Sequence, residues 1–420
     1  MYVSVNEAIR RAPPVVWLGI GSVTHHIEVP CVPLAHPKSA FLHMPQFSST
    51  ARGIVLLGAT VVLALPAAAQ STKTPKYSNE FLNLGVGARA LGMGKVQVSL
   101  ADNATAGYWN PAGLANQTAK YDGVLMHSEL FSGVVKNDYA AFSMPLDANS
   151  AIGASVMRLG VDNIADTRNL INEYGYVDYS RIEYFSVADY ALLVSYARKI
   201  GSVEGLSVGA NGKIIYRNIG KFANGYGFGI DAGLQYNHKG WNLGLMARDI
   251  TTTFTQWSIN ADEYQKGISS TIANGDDPIP TNSAEITLPR FVLGAGRRFA
   301  LPKEFSALVA VDLEATTDGE RNTPISTKAG SVDPRVGLEL GYKNLVFLRG
   351  GAGNYQKIQD FAAAPGVTPG SSWKGQYSLG AGVAISGLRV DLALSRLAVE
   401  KLGSASQTNS LIVSLGYSFK

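Results

Sequence analysis

From Lys120 to Phe419 the chain repeatedly alternates apolar with small or polar residues. Tyr226, Phe228, Ile230, Ala232, Leu234 and Tyr236 take every second place, with Gly227, Gly229, Asp231, Gly233 and Gln235 between them. Tyr377, Leu379, Ala381, Val383 and Ile385 do the same, as do Leu388, Val390, Leu392 and Leu394, and Val336, Leu338, Leu340 and Tyr342. Leu206, Val208, Ala210, Ile214 and Tyr216 alternate with Ser207, Gly209, Asn211, Lys213 and Arg217. A period of two predicts β-strands with one apolar and one polar face. A soluble sandwich alternates as well, but these segments run to about ten residues, the length of a tilted membrane-spanning strand. Aromatic residues also close the apolar faces, at Tyr216, Tyr226, Tyr236, Trp241, Tyr377 and Tyr417, where membrane barrels carry aromatic girdles.

The connections support the same reading. About fourteen strands fit between Lys120 and Phe419, an even number as bacterial barrels require. Every second connection is a short turn: 147–149, 201–205, 237–240, 301–303, 343–344 and 386–387. The intervening set holds the long ones: 161–187, 251–285, 318–332, 355–373 and 400–407. Long and short connections therefore fall at opposite ends of the strands, the asymmetry of an outer-membrane barrel. The segments 122–159 and 345–351 alternate poorly. The final strand places Leu411, Val413, Leu415, Tyr417 and Phe419 on one face, a terminal amphipathic strand of the kind read by the barrel-assembly machinery. The predicted fold is all-β, a transmembrane antiparallel barrel, closed because an open edge would leave backbone groups unpaired in lipid.

Composition narrows the field. There are 45 glycines in 420 residues, and charged residues are only 16%, against typical values of ~7% and ~25%. A mean hydropathy of +0.06 and 46% hydrophobic residues exclude an intrinsically disordered chain. A net charge of +4 without a basic cluster gives no footprint for nucleic acid. Cys31 is the single cysteine, so no internal disulfide framework can form.

One apolar run, 53–65, follows Arg52 and precedes Ala67-Ala68-Ala69. That is the layout of a secretory signal peptide, with cleavage near Ala69 and Gln70 as the mature start. Because a signal peptide begins near the N-terminus, 1–43 reads as an upstream start assigned too early, with translation beginning at Met44. The expected organisation is then 1–43 outside the protein proper, 44–69 signal peptide, 70–118 an N-terminal segment, and 119–420 the barrel.

The N-terminal segment contains Phe81-Leu82-Asn83, the glycine-rich stretch 85–94, Ala101-Asp102, and Tyr108-Trp109-Asn110-Pro111-Ala112-Gly113-Leu114. This resembles the PorV/PorQ family of outer-membrane barrels, which are related to the FadL transporters of hydrophobic compounds; 225–236, 248–257 and 337–351 extend the match. Lys95 and Asn103 depart from it, the first standing where a small residue is usual and the second where an acid is common. The resemblance implies a fourteen-stranded barrel with the N-terminal segment as a hatch in the lumen. The hatch motif is carried by Gly85, Gly87, Gly92, Gly94, Asp102, Trp109, Asn110, Pro111, Ala112 and Gly113. It further implies a Bacteroidetes-type outer membrane, and partners in type IX protein secretion: the translocon, the attachment complex and cargo proteins, met through long external loops such as 161–187 and 251–285. The FadL relationship implies the alternative, a transporter of hydrophobic small molecules with an apolar pocket beside the hatch and a lateral exit.

Enzyme chemistry finds no constellation. The string Gly85-Val86-Gly87-Ala88-Arg89-Ala90 lacks the βαβ context of a dinucleotide loop. After Gln70 only His127 and His238 remain, too few to build a metal site or, with Ser128 beside His127, to argue for catalysis. No catalytic residue, cofactor or metal is expected. The charges that parity sends into the lumen are Lys213, Arg217, Asp231, Arg248, Asp312, Glu314, Glu339, Arg389 and Asp391. They read as an internal network bracing the wall and anchoring the hatch, since charge on the lipid side costs ~2–4 kcal/mol at midplane. Ala393 shares their face and is expected to meet a hydrated lumen, whereas Leu392 faces lipid.

Overall fold

The computed structural model describes residues 78–172, 174–265, 282–359, 371–397 and 408–419; the signal-peptide and start-site expectations lie outside them. The wall begins with β1 (Tyr121–Leu130), β2 (Val135–Pro145), β3 (Ser150–Asp166), β4 (Glu183–Lys199), β5 (Leu206–Ile219) and β6 (Ala223–His238). It continues through β7 (Trp241–Arg248), β8 (Thr253–Ile259), β9 (Asn282–Thr287), β10 (Arg290–Ala300) and β11 (Phe305–Thr316). After the three-residue ribbon β12 (Ile325–Thr327) come β13 (Gly330–Tyr342), β14 (Val346–Gln359), β15 (Ser371–Ile385), β16 (Leu388–Leu397) and β17 (Thr408–Phe419). All pairings are antiparallel, and β1 closes on β17, Tyr121 opposite Phe419. The result is a closed fourteen-strand barrel.

Seventeen strands make fourteen wall positions because the ribbon β12 pairs only with the first residues of β13 and two wall strands are each split in two. β6 pairs along one half with β7 and along the other with β8. β7 pairs onward with β10, and β8 with β9. Two adjacent wall strands are thus each interrupted at one level, at 249–252 and at 288–289. Asp249 and Thr252 flank the first interruption with φ of 54° and 63°, a left-handed backbone that no ladder accommodates.

The faces follow the sequence pattern. Leu392 is 48% exposed on the outside, whereas Ala393 is 2% exposed within. Leu340, Leu379, Val413 and Phe228 stand outward with it, forming the apolar surface that lipid requires. Poor alternation in β1–β3 has a local cause: Val124, Met126, Tyr139 and Met157 point inward and are buried against the hatch, while His127, Lys136, Asp138 and Arg158 stand on the outward face, so apolar and polar positions do not sort cleanly by face.

The short turns lie where the spacing puts them. In 146–149 the Asp147 carboxylate accepts from the Ser150 hydroxyl at 2.7 Å and from the amides of Asn149 and Ser150; the Ser150 hydroxyl, foremost, holds this acid below the usual carboxylate range. The long connections are shorter than expected. β3 and β4 pair out to Asp166 and Glu183, which shrinks 161–187 to 167–182. The segment 251–285 is the largest correction, because most of its ends are wall: β8 pairs with β6 and β9. Likewise 318–332 and 355–373 lose their ends to β13, β14 and β15, and 400–407 lies outside the described residues. In each case the ladder continues beyond the apolar belt. There the outward residues turn polar and alternation fades, while backbone pairing needs no apolar face.

Candidate functional site

The N-terminal segment lies inside the wall. A 3-10 turn, Glu80–Asn83, leads to a short helix α1 (Ala88–Gly92), then to α2 (Ala106–Trp109) and a second 3-10 stretch, Pro111–Asn116. Asn110 is the hinge between the last two. Its backbone is extended, its Oδ1 accepts from the Ala112 amide at 3.2 Å, and Pro111 opens the next turn, a position where a missing N–H costs nothing. Asn110 Nδ2 donates to the carbonyls of Val98 and Leu234, both at 2.9 Å, so one fully buried amide ties the hatch to itself and to β6. Trp109 Nε1 donates to the Val86 carbonyl at 3.0 Å. The Tyr108 hydroxyl donates to the Leu82 carbonyl and accepts from the Gly85 amide.

Two glycines are required by close approach. A Cβ on Gly113 would lie 2.0 Å from the Ala101 carbonyl oxygen, and one on Gly94, whose φ is +68°, would lie 2.8 Å from the Ala352 amide of β14. Here backbone rests directly on backbone, which any side chain would prevent. Gly92 sits against Gly380 of β15 and Ala393 of β16. Ala393 therefore faces hatch rather than water, a correction to the hydrated lumen expected at that position. Gly85, Gly87 and Ala112 complete the buried path of the motif. Asp102 stands apart: its side chain is 60% exposed and lies 3.9 Å from Arg89. Of the departures from the family pattern, Asn103 caps the turn before α2 by accepting from the Thr105 amide and hydroxyl. Lys95 takes a φ of 70° and donates to the Asn83 carbonyl at 3.2 Å.

One side of the hatch is apolar. Phe81, Leu91, Tyr108 and Trp109 form a single core with Met126, Tyr139, Met157, Leu193 and Ile215 of β1–β5. The other side is held by charge. Asp312 Oδ2 accepts from the amides of Gln97 and Val98 at 2.9 and 3.2 Å. Arg89 meets Glu339 through two bonds, at 2.9 and 3.2 Å, and Arg298 and Arg349 converge on the same carboxylate at 3.2 and 2.8 Å. Asp391 balances Arg349 at 2.6 Å, and Arg389 reaches Asp122 at 2.8 Å. Arg217 pairs with Asp189 and Glu285. Arg248 stacks on Tyr108, 4.8 Å from the ring centre. Lys213 bridges Asp231 and Asp249 at 2.7 and 2.5 Å, beside the interruption between β7 and β8. Of the nine charges assigned to the lumen, Lys213, Asp231, Asp312, Glu314 and Glu339 are buried, and Arg217, Arg248, Arg389 and Asp391 are half-buried.

Among the described residues a cavity lies on each side of the hatch. Towards the long connections a cavity of about 440 Å³ is lined by Glu80, Lys95, Arg290, Glu314, Arg321 and Arg335. Towards the short turns a cavity of about 260 Å³ is lined by Arg89, Asp102, Arg298, Glu339, Arg349 and Asp391. Sequence reasoning missed Arg290, Arg298, Arg335 and Arg349. Parity would have found three of them: Arg335 continues the face of Glu339 and Gly337, and Arg290 and Arg298 that of Gly294 and Gly296. Arg349 lies in the stretch whose alternation is weak. His127 and Ser128 point to opposite faces of β1, Ser128 buried and donating to the Asn137 carbonyl, so they share no site. Among the described residues no cluster of three or more His, Cys, Asp or Glu side chains is placed to hold a metal ion.

No family profile and no curated protein sequence matches the chain. Solved structures do. The Pseudomonas putida toluene transporter TodX aligns with a TM-score of 0.50 at 14% identity, over 80% of this chain and 99% of that one. The monoaromatic hydrocarbon channel CymD aligns with 0.48 at 13%, and a Pseudomonas aeruginosa FadL homologue with 0.47 at 12%, each over 80% of this chain and 98% of its own. The shared feature is the FadL-type barrel fold. None of these structures points to the PorV/PorQ branch.

Proposed function

We propose that this chain is a FadL-like outer-membrane transporter of hydrophobic small molecules, closed in its resting state by the hatch. The observation carrying this reading is the position of the wall interruption. The ends of β7 and β8, beside Asp249–Thr252, lie next to the hatch, at a small recess of about 20 Å³ lined by Leu82, Tyr108 and Leu193 on one side and by Lys213, Asp231, Arg248, Asp249 and Arg290 on the other. A solute leaving sideways at this break enters lipid once the hatch and the Lys213 bridge to Asp231 and Asp249 move aside. A strand break in a wall buried on both sides is unfavourable unless something uses it. The secretion reading, with translocon, attachment complex and cargo as partners, leaned on the hatch resemblance and on long external loops such as 161–187 and 251–285, and the ends of both loops are wall strand.

A reversible lock tests the transport reading. An added Cβ at Gly92 lies 3.6 Å from the Ala393 Cβ, within the usual disulfide range, and the only native cysteine is Cys31. Gly92→Cys/Ala393→Cys needs a shift of a few tenths of an ångström away from Gly380. Oxidised, it is expected to abolish uptake of a monoaromatic hydrocarbon into cells lacking paralogues, with recovery on reduction. Undiminished uptake with the bond formed, or normal uptake but unattached surface proteins in a deletion strain, would favour the secretion reading.

A further inference from the structure

The short-turn ends of β7, β10, β11 and β13 carry an aromatic band on the outside of the wall. Trp241 is the first residue of β7, Phe299 the next to last of β10, Phe305 the first of β11 and Tyr342 the last of β13, and all four are exposed. Arg297 stands in this band. Alternation along β10 gives it the outward face of Leu293, Ala295 and Phe299. Leu293, nearer the middle of the strand, and Phe299, nearer the turn, are both exposed apolar residues, so the arginine sits at the edge of the apolar belt and not beyond it. Its guanidinium carbon lies 4.9 Å from the Trp241 ring centre and 5.3 Å from that of Phe299. Among the described residues no carboxylate lies within 4.0 Å of that guanidinium. Lys239, Lys303 and Lys343 stand in the adjoining turns 239–240, 301–304 and 343–345, whose one acid is Glu304, and Lys343 meets it at 3.7 Å. Beside Phe299 a groove of about 560 Å³ opens at the rim, lined by Phe299, Leu301, Phe305, Arg298 and Lys343.

We infer that Arg297 is the phosphate-binding residue of a site for an anionic phospholipid of the periplasmic leaflet, its headgroup over this groove and its acyl chains on Leu243, Leu293 and Val309. Short turns are the periplasmic ends of an outer-membrane barrel, and aromatic girdles mark the level of the headgroups. An arginine at that level ordinarily extends freely towards water. This one is held by two rings, which attract the cation and displace water from it. The planar fork is left with its N–H groups unpaired, and their geometry matches two phosphate oxygens. Arg297 and the three turn lysines face Glu304 alone, so the field favours an anionic headgroup over a zwitterionic one. Val309 and Trp241 are the ladder partners of Arg297 on either side, which puts apolar wall and aromatic ring directly against the phosphate position. The inference concerns the outside of the wall and holds whatever the lumen carries.

The experiment counts retained lipid. Purified full-length protein is reconstituted in nanodiscs of phosphatidylcholine and phosphatidylglycerol in equal amounts, moved to mild detergent, and weighed by native mass spectrometry. The wild type is expected to keep phosphatidylglycerol in preference to phosphatidylcholine. Arg297→Gln, confirmed as folded by heat-modifiable gel mobility, is expected to lower the retained phosphatidylglycerol about tenfold. Trp241→Leu/Phe299→Leu leaves every charge in place and is expected to lower it as well, because the fork is no longer held. Arg181→Gln removes a positive charge from the long-connection end and is expected to change nothing. Excess inorganic phosphate is expected not to displace the lipid, since it brings no acyl chains to the belt. Equal retention of the two lipids would overturn the inference, as would displacement by inorganic phosphate. So would full retention in Arg297→Gln or in the ring variant, or an equal loss in Arg181→Gln.

Discussion

Glu339 shows how much one side chain holds here. It is almost fully buried, and it answers Arg89 from the hatch, Arg298 from β10 and Arg349 from β14. Removing one member of a buried ion network costs about 3–5 kcal/mol, because the partner charges stay buried. Glu339→Gln keeps the shape and the hydrogen-bonding capacity but leaves Arg89 with only Asp102, at 3.9 Å. The expected outcome is a barrel that still assembles, with a hatch that loosens first. In planar bilayers the variant should conduct small ions more often than the wild type, and hydrogen exchange in 86–91 should rise while that of β13 stays slow.

At the scale of a single strand, β16 separates two ways of failing. Leu392 faces lipid, and an arginine there costs ~2–4 kcal/mol near midplane. Ala393 is adjacent in sequence but lies against Gly92 of α1, where an arginine has no room. Leu392→Arg should therefore reduce the folded, heat-modifiable band. Ala393→Arg should spare more of that band but displace the hatch, exposing Arg89 and Lys95 to trypsin. Equal trypsin resistance in Ala393→Arg and wild type would contradict the packing. The same strand shows what alternation can and cannot convey. Period two fixes which residues share a face, because Cβ atoms alternate across a strand. It says nothing about whether the inner face meets water or another segment, and the expected hydrated lumen failed at Ala393 for that reason.

For the molecule as a whole, the hatch is both plug and core. A fourteen-strand wall is too wide to fill its own lumen, and β1–β5 leave Met126, Tyr139, Met157 and Ile215 facing inward for the hatch to cover. Deleting 78–116 should thus do two things together: open a large, steady conductance, and lower the thermal unfolding temperature, since several buried side chains at roughly 1.5–3 kcal/mol each lose their partners. A pore that opens without loss of stability would mean the hatch is only a stopper. The mature chain is expected to start at Gln70, from Arg52, the apolar run 53–65 and Ala67-Ala68-Ala69. N-terminal sequencing of outer-membrane material decides this, and a peptide from 1–43 in that material would refute both the cleavage and the late start.

Strand faces and the opposite ends of short and long connections were legible in the sequence, because each depends on local periodicity or spacing. The inward placement of Arg335 and Arg290 was legible too, by the same parity carried one turn of the pleat further. The division of wall strands at 249–252 and 288–289 was not, since a polar stretch above a belt reads as loop whether or not its backbone is paired across the ladder. Nor could the sequence bring Arg89, Arg298, Glu339 and Arg349 together: they come from four segments, and only closure of the barrel around its own N-terminal segment sets their distances. What lies on each side of a strand is written along the chain; what fills the space between strands is decided only when distant segments meet.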